Sequence, residues 1–217
     1  MTNTFKHIAA TFLIAGLGLI GSPTLAATEK LTVAGGCFWC VESDFESVPG
    51  VSEVVSGYTG GNIDNPTYKQ VTRGGTGHYE AVEITFDPQT ISREKLLSMF
   101  LRSVDPTDAG GQFCDRGESY RTAIFTSSEN EKTLAGDAIK DAESVLGKTI
   151  VTPILPAAKF YIAEDYHQDY YKGKNLVFTR FGPLKQSSAY KRYRKACGRD
   201  ARVLELWGAE APFVKTN

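Results

Sequence analysis

The short apolar run Leu31-Thr32-Val33-Ala34 ends in Gly35-Gly36, and the next apolar residues, Phe38, Val41 and Phe45, fall at i, i+3 and i+7. That second spacing is one face of a helix. A buried strand therefore turns through two glycines into a helix that opens at or near Cys37. Neither element can hide its apolar side alone, so the pair belongs to a sheet with helices laid on it.

The remaining pattern extends this unit. Val51 to Tyr58 reads as a strand ending in the glycine-rich turn Gly57–Gly61, and Pro66 suits the first turn of a short helix through Val71. Between His78 and Asp87, Val82, Ile84 and Phe86 alternate with Glu83, Thr85 and Asp87, which is strand periodicity. Ser92 caps the next helix, Ile91 and Leu96 form its staple, and Leu96, Leu97, Phe100, Leu101 and Val104 make its stripe before Asp105-Pro106 stops it. Arg121 to Thr126 is a further strand. Ser128 and Glu131 then predict a capping box for a helix with Leu134, Ala135, Ala138, Ile139, Ala142, Val145 and Leu146 along one side. Ile150 to Leu155 and Lys159 to Ala163 close the sheet, a Tyr-rich helix follows near Tyr166 to Tyr171, and the C-terminal third reads as irregular. The expected architecture is one α+β domain, a two-layer sandwich of a mixed sheet and packed helices, ferredoxin-like with extensions.

Composition excludes some functions. A 217-residue chain with 41% hydrophobic and 23% charged residues is globular, and a net charge of −1 offers no basic excess for nucleic-acid phosphates. Met1 to Ala26 reads as a signal peptide: Lys6, the apolar run Ile8 to Ile20, then Pro23 and the small residues Thr24 and Ala26 before cleavage. The apolar run is too short to span a bilayer core of about 30 Å, and no later stretch approaches that length. The expectation is an exported, periplasmic protein, free of the membrane once the leader is removed, whose catalytic domain runs over 27–217. Gly16-Leu17-Gly18-Leu19-Ile20-Gly21 fits a dinucleotide fingerprint, but no strand precedes it and it lies in the leader.

The chemistry concentrates at Gly36-Cys37-Phe38-Trp39-Cys40. Unpaired amides at a helix N-terminus favour a thiolate over a thiol, so Cys37 is the expected nucleophile and the C-x-x-C pair is redox-competent. The alternative is a pair of buried cysteines acting as small apolar residues. Zinc lacks a second close pair, because Cys114 and Cys197 lie far apart in sequence. Strand alternation turns Glu80 toward the side of Val82, Ile84 and Phe86, where burial raises a carboxyl pKa and leaves a neutral proton donor. A strand-end Glu bent into solvent is the competing placement. The stretches Asn65-Pro66-Thr67-Tyr68 and Gly74–Glu80 can bring a phenol and a carboxyl to one rim, and Gly110–Gly117 is either a site loop or a plain connector. His78 and His167 have no ligand-spaced partners and read as structural.

Gly36-Cys37-Phe38-Trp39-Cys40-Val41-Glu42 resembles the signature of the peptide methionine-S-sulfoxide reductases. Gly57–Gly61, Asn65–Tyr68, Thr76–Val82, Ser119–Ile124, Ala163–Gln168 and Cys197-Gly198-Arg199-Asp200 match further family blocks in order. The resemblance implies thiol-dependent reduction of methionine S-sulfoxide, free or protein-bound. Cys37 would attack sulfur while Glu80 protonates oxygen; Tyr68 and Tyr120 would bond that oxygen, Asp115 would order the polar side, and Phe38 and Trp39 would hold the methyl group. A sulfenic acid and then a disulfide follow, restored by a thioredoxin-like donor, with no metal, flavin or nucleotide cofactor.

Many family members have glycine where this chain has Cys40, which leaves Cys40, Cys114 and Cys197 as candidates to resolve the sulfenic acid. Helix positions i and i+3 set Cβ atoms about 5–6 Å apart, more than the roughly 3.5–4.5 Å of a disulfide, so a Cys37–Cys40 bond must bend the first turn. Cys197, expected in a mobile tail, could swing in. The favoured arrangement is Cys40 as resolving thiol with Cys114–Cys197 as a structural bridge. Two other functions compete. A general dithiol oxidoreductase would leave Glu80, Tyr68 and Tyr120 without work, and a disulfide-locked binding module would require two bridges.

Overall fold

The computed structural model describes residues 27–214 together with Met1. The leader expected over 2–26 therefore lies outside the described residues. Strand β1 (Glu29–Gly35) passes through Gly36 into helix α1 (Phe38–Phe45), followed by β2 (Val51–Thr59), α2 (Tyr68–Arg73), β3 (Tyr79–Phe86) and α3 (Arg93–Leu101). A two-residue ribbon, β4 (Gly111–Gln112) and β5 (Asp115–Arg116), precedes β6 (Thr122–Thr126), α4 (Glu129–Leu146), β7 (Ile154–Pro156) and β8 (Tyr161–Ile162). The chain ends with β9 (Leu176–Thr179), β10 (Gly182–Lys185), α5 (Gln186–Ala196) and α6 (Arg199–Trp207).

The main sheet has the order β7-β6-β1-β3-β2-β8, antiparallel except for the β6–β7 pair. Its central four strands, β6-β1-β3-β2, carry the ferredoxin-like order, with α1 crossing from β1 to β2. Leu31 and Val33 of β1, Val82, Ile84 and Phe86 of β3, and the apolar faces of α1 and α3 form one buried cluster. Each such side chain removed from water contributes about 1.5–3 kcal/mol. Ala34, Tyr79, Ala81, Ala123 and Phe125 line the opposite face in a smaller cluster. Alternation along β3 thus sends Glu80 to the helix-bearing side, where the chain enters α1.

Local signals are realised with several departures. Ser92 accepts from the Lys95 amide as a cap should, but Pro66 stands outside α2, which Thr67 and Gln70 begin with a capping box. Glu131 reaches back past Ser128 to the Ser127 amide at 2.7 Å, and Val145 leaves the α4 stripe for solvent. The Tyr-rich helix is two separate 3-10 turns, Asp165–His167 and Tyr170–Lys172, broken where Asp169 takes φ 55°. The C-terminal third is ordered, not irregular: a hairpin lies against α5, Arg194 of α5 pairs with Asp44 of α1, and Val203 and Trp207 of α6 join the core that α1 helps to build. Cys197 closes α5 and is bonded to Cys114, so it is not in a mobile tail. Among the described residues no helix is long and apolar enough to cross a membrane.

Candidate active site

Two glycines bring β1 into α1. A Cβ on Gly35 would lie 3.0 Å from Val41, and one on Gly36, whose φ is +79°, would lie 2.5 Å from the Gln112 Cβ. Gln112 is itself fully buried and pinned to the Asp105 backbone through both ends of its amide, at 2.9 and 2.8 Å. Cys37 takes the N-cap position of α1, and its carbonyl accepts from the Cys40 and Val41 amides.

Glu80 is 1% exposed, so the bent-out placement is excluded. The Phe38 amide, an unsatisfied donor of the helix start, donates to Glu80 Oε2 at 3.2 Å, whereas Oε1 has no hydrogen-bond partner among the described residues. Burial is the largest influence and lifts the carboxyl from its ordinary 4.5 to about 8, against the opposing pull of the Phe38 amide. The acid is therefore mostly neutral at pH 7.

A cavity of about 500 Å³ is lined by every candidate site residue of the sequence: Cys37, Phe38, Trp39, Cys40, Tyr68, Glu80, Asp115 and Tyr120, with Cys114 and Cys197 beside them. Burial raises Tyr68 and Tyr120 above ordinary phenols, and the nearby Glu80 charge adds to both, so each remains a hydroxyl donor. The glycine loops hold these phenols in place. Glu118 accepts from the amides of Gly75, Thr76 and Gly77, which anchors the turn leading to Tyr120. Glu164 accepts from the Tyr68 amide at 2.9 Å and the Tyr58 hydroxyl at 2.8 Å, which fixes the start of α2.

A sequence model of the peptide methionine sulfoxide reductases matches residues 29–200. The chain belongs to this family. It is 47% identical over 198 residues to the peptide methionine sulfoxide reductase MsrA 2 of Caulobacter vibrioides, covering 89% of this chain and 95% of that one. The MsrA 2 of Staphylococcus aureus is 47% identical over 182 residues, or 83% of this chain and 96% of that one. Two solved structures share the fold. Mxr1 of Saccharomyces cerevisiae in reduced form has a TM-score of 0.65 at 29% identity, over 70% of this chain and 87% of that one. Methionine sulfoxide reductase A of Corynebacterium diphtheriae has a TM-score of 0.61 at 29% identity, over 76% and 85%. The enzyme is thus an oxidoreductase of methionine sulfoxide.

The dithiol of this reductase departs from the expected electrostatics. Cys37 and Cys40 are both free, so the described residues hold one bridge and not the two that the binding module would require. The interaction between the thiols raises Cys37, with burial and the Glu80 and Asp115 charges acting the same way, while Cys40 is lowered to about 7. Its lowering comes first from Cys37 and then, against burial, from Arg199 and Arg194. The helix start does not put the anion on Cys37, because the interaction with Cys40, burial and the Glu80 and Asp115 charges all raise that thiol. A Cys40→Ser variant is expected to lose the ionisation step near 7 in an ultraviolet thiolate titration; a retained step would return the anion to Cys37.

Several functional residues escaped the sequence pattern. Arg199 is 2% exposed, donates to the Gly35 and Ser103 carbonyls at 3.2 and 3.0 Å, and stands over the Phe113 ring. Arg194 pairs with buried Asp44 at 2.7 Å. His167 accepts from the Trp39 indole at 3.1 Å, and burial lowers its pKa to about 4, so it stays neutral and holds Trp39 flat against Tyr170 at 3.7 Å. Glu42 accepts from the Ser56 hydroxyl and the Asp169 amide, tying the turn that carries Tyr170 to α1. Among the described residues two clusters have metal-like spacing, but the sulfurs of Cys114 and Cys197 are joined. Glu42, Glu46 and Asp169 are already engaged by Ser56, Tyr171 and Lys172.

Proposed function

We propose that the enzyme reduces the S epimer of methionine sulfoxide, free or protein-bound, with Cys37 as nucleophile and Glu80 as proton donor. The observation that carries this reading is the Glu80 carboxyl: buried, raised to about 8, one oxygen held by Phe38 and the other without a partner, in the cavity that Cys37 lines. Cys40, anionic near neutral pH, takes the Cys37 proton as that sulfur attacks. The attack forms a bond from the Cys37 sulfur to the substrate sulfur while Glu80 protonates the oxygen. The S–O bond then breaks, and the released hydroxide adds to the Cys37 sulfur and displaces methionine, leaving Cys37 as a sulfenic acid. Tyr68 and Tyr120 donate to the oxygen, Asp115 orders the polar side, and Phe38 and Trp39 flank the methyl group. Cys40 then attacks Cys37, releasing water and closing a disulfide, which a thioredoxin-like dithiol reduces by exchange.

Export to the periplasm belongs to the same proposal, supported by the leader sequence and by the Cys114–Cys197 bond, which persists in an oxidising compartment. The test is a single turnover of the pre-reduced enzyme, freed of dithiol, on the two separated sulfoxide epimers. One methionine per enzyme from the S epimer alone, with a Cys37–Cys40 link in the peptide map, is the expected result. Reduction of the R epimer would end the stereochemical proposal, and a Cys37–Cys197 link would end the role given to Cys40.

A further inference from the structure

The hairpin of β9 and β10 pairs only with itself among the described residues. Its two faces differ sharply. Val177 and Leu184 point inward and pack with the layer of Tyr170 and Tyr190 beside Cys40. The other face carries Leu176 and Phe178, 65% and 88% exposed, with Pro183 opposite Phe178 and Lys185 opposite Leu176. An exposed apolar strand edge invites unwanted pairing, and natural sheets ordinarily blunt it. Here it is left open at the mouth of the catalytic cavity, since Phe178 lines the same cavity as Cys37.

We infer that this outer face is a subsite for the polypeptide around an oxidised methionine, so that the enzyme prefers protein-bound sulfoxide in extended apolar segments. The inference rests on the proposed reductase mechanism and names its substrate class. Continuity with the cavity selects the occupant: a chain that lies on the strip borders the cavity that Cys37 lines. Methionine is a core residue whose oxidation turns an apolar side chain polar and disrupts the packing around it. The segment then exposed is rich in apolar neighbours. In an extended chain these repeat every two residues, the spacing of Leu176 and Phe178 on β9. The open hairpin edge also allows such a segment to add as a third strand. Free methionine sulfoxide is too small to fill the cavity and cover the strip together.

The experiment compares an oxidised peptide flanked by Leu and Val with the N-acetyl methyl amide of methionine sulfoxide, both with dithiothreitol as donor. In a Leu176→Ser/Phe178→Ser double variant, the ratio of kcat/KM for the peptide to that for the small sulfoxide is expected to fall about tenfold, through KM. A Phe178→Leu variant should restore most of the ratio, which a merely distorted site would not do. An unchanged ratio overturns the inference. So does an effect confined to the KM of a thioredoxin-like donor, which would make the strip a reductant surface, or a change in solution mass, which would make it a contact between copies. Failure of the unmodified enzyme to reduce the small sulfoxide would overturn the mechanism beneath, and the inference with it.

Discussion

Replacing Glu80 by Gln is expected to lower kcat by roughly 10²–10⁴-fold, the usual contribution of a positioned general acid. Glutamine keeps the size and accepts from the Phe38 amide, but has no proton to give when the S–O bond breaks. The pH profile separates this loss from simple disruption. The acid is in its donating form below about 8, and the dithiol supplies its anion above about 7. The native enzyme should therefore show a bell with its maximum between these limits. The variant should keep the rising limb and lose the falling one. Stability gives a second readout. In the unfolded chain Glu80 ionises at its ordinary 4.5, in the folded one at about 8. The folded state thus holds a proton that the unfolded state releases within that window. The contribution is fully present below the unfolded value and is lost as pH rises through the folded one. Chemical denaturation of the variant should lack this slope. A variant of native activity, or one retaining the falling limb, removes Glu80 from the proton transfer.

Glu80 could be found in the sequence because a strand's side chains alternate over adjacent residues, so Val82, Ile84 and Phe86 declare its side. The Ser92 cap and the entry to α1 were legible for the same reason: each signal lies within a few residues of the element it marks. Arg199 offers no such pattern. It is buried because the Gly35 and Ser103 carbonyls, distant in the chain, accept from its guanidinium. His167 likewise looks idle until Trp39 is brought against it. The helix expected at Tyr166 to Tyr171 fails because Glu42 captures the Asp169 amide, which a continuous helix would need. α5 hid for a different reason. Its inner side is built from Ala189, Tyr190 and the stem of Arg194, not from an aliphatic stripe, so helical spacing of apolar residues does not reveal it. The lowering of Cys40 comes from Cys37 and from Arg199 and Arg194, and the arginines' part in it lay beyond local reading.

Removing the Cys114–Cys197 bridge is expected to cost about 3–4 kcal/mol of stability, because the bond closes a separation of 83 residues that the unfolded chain would otherwise explore. In a domain of this size 1 kcal/mol moves Tm by about 2–4 °C, so a Cys114→Ala/Cys197→Ala variant should melt roughly 6–16 °C lower. The bridge joins the β4–β5 turn to the end of α5, next to the two arginines that lower Cys40. Loosening this junction should therefore also raise the Cys40 ionisation above about 7 and slow disulfide closure, while the first methionine is still released. Melting with and without a reductant supplies the control: the reductant should destabilise the native protein and leave the melting of the variant unchanged. An unchanged Tm in the variant would mean that the bond is open in the folded enzyme. Cys114 and Cys197 would then be free thiols at the cavity rim, and the case for Cys40 as the partner of Cys37 would rest on peptide mapping alone.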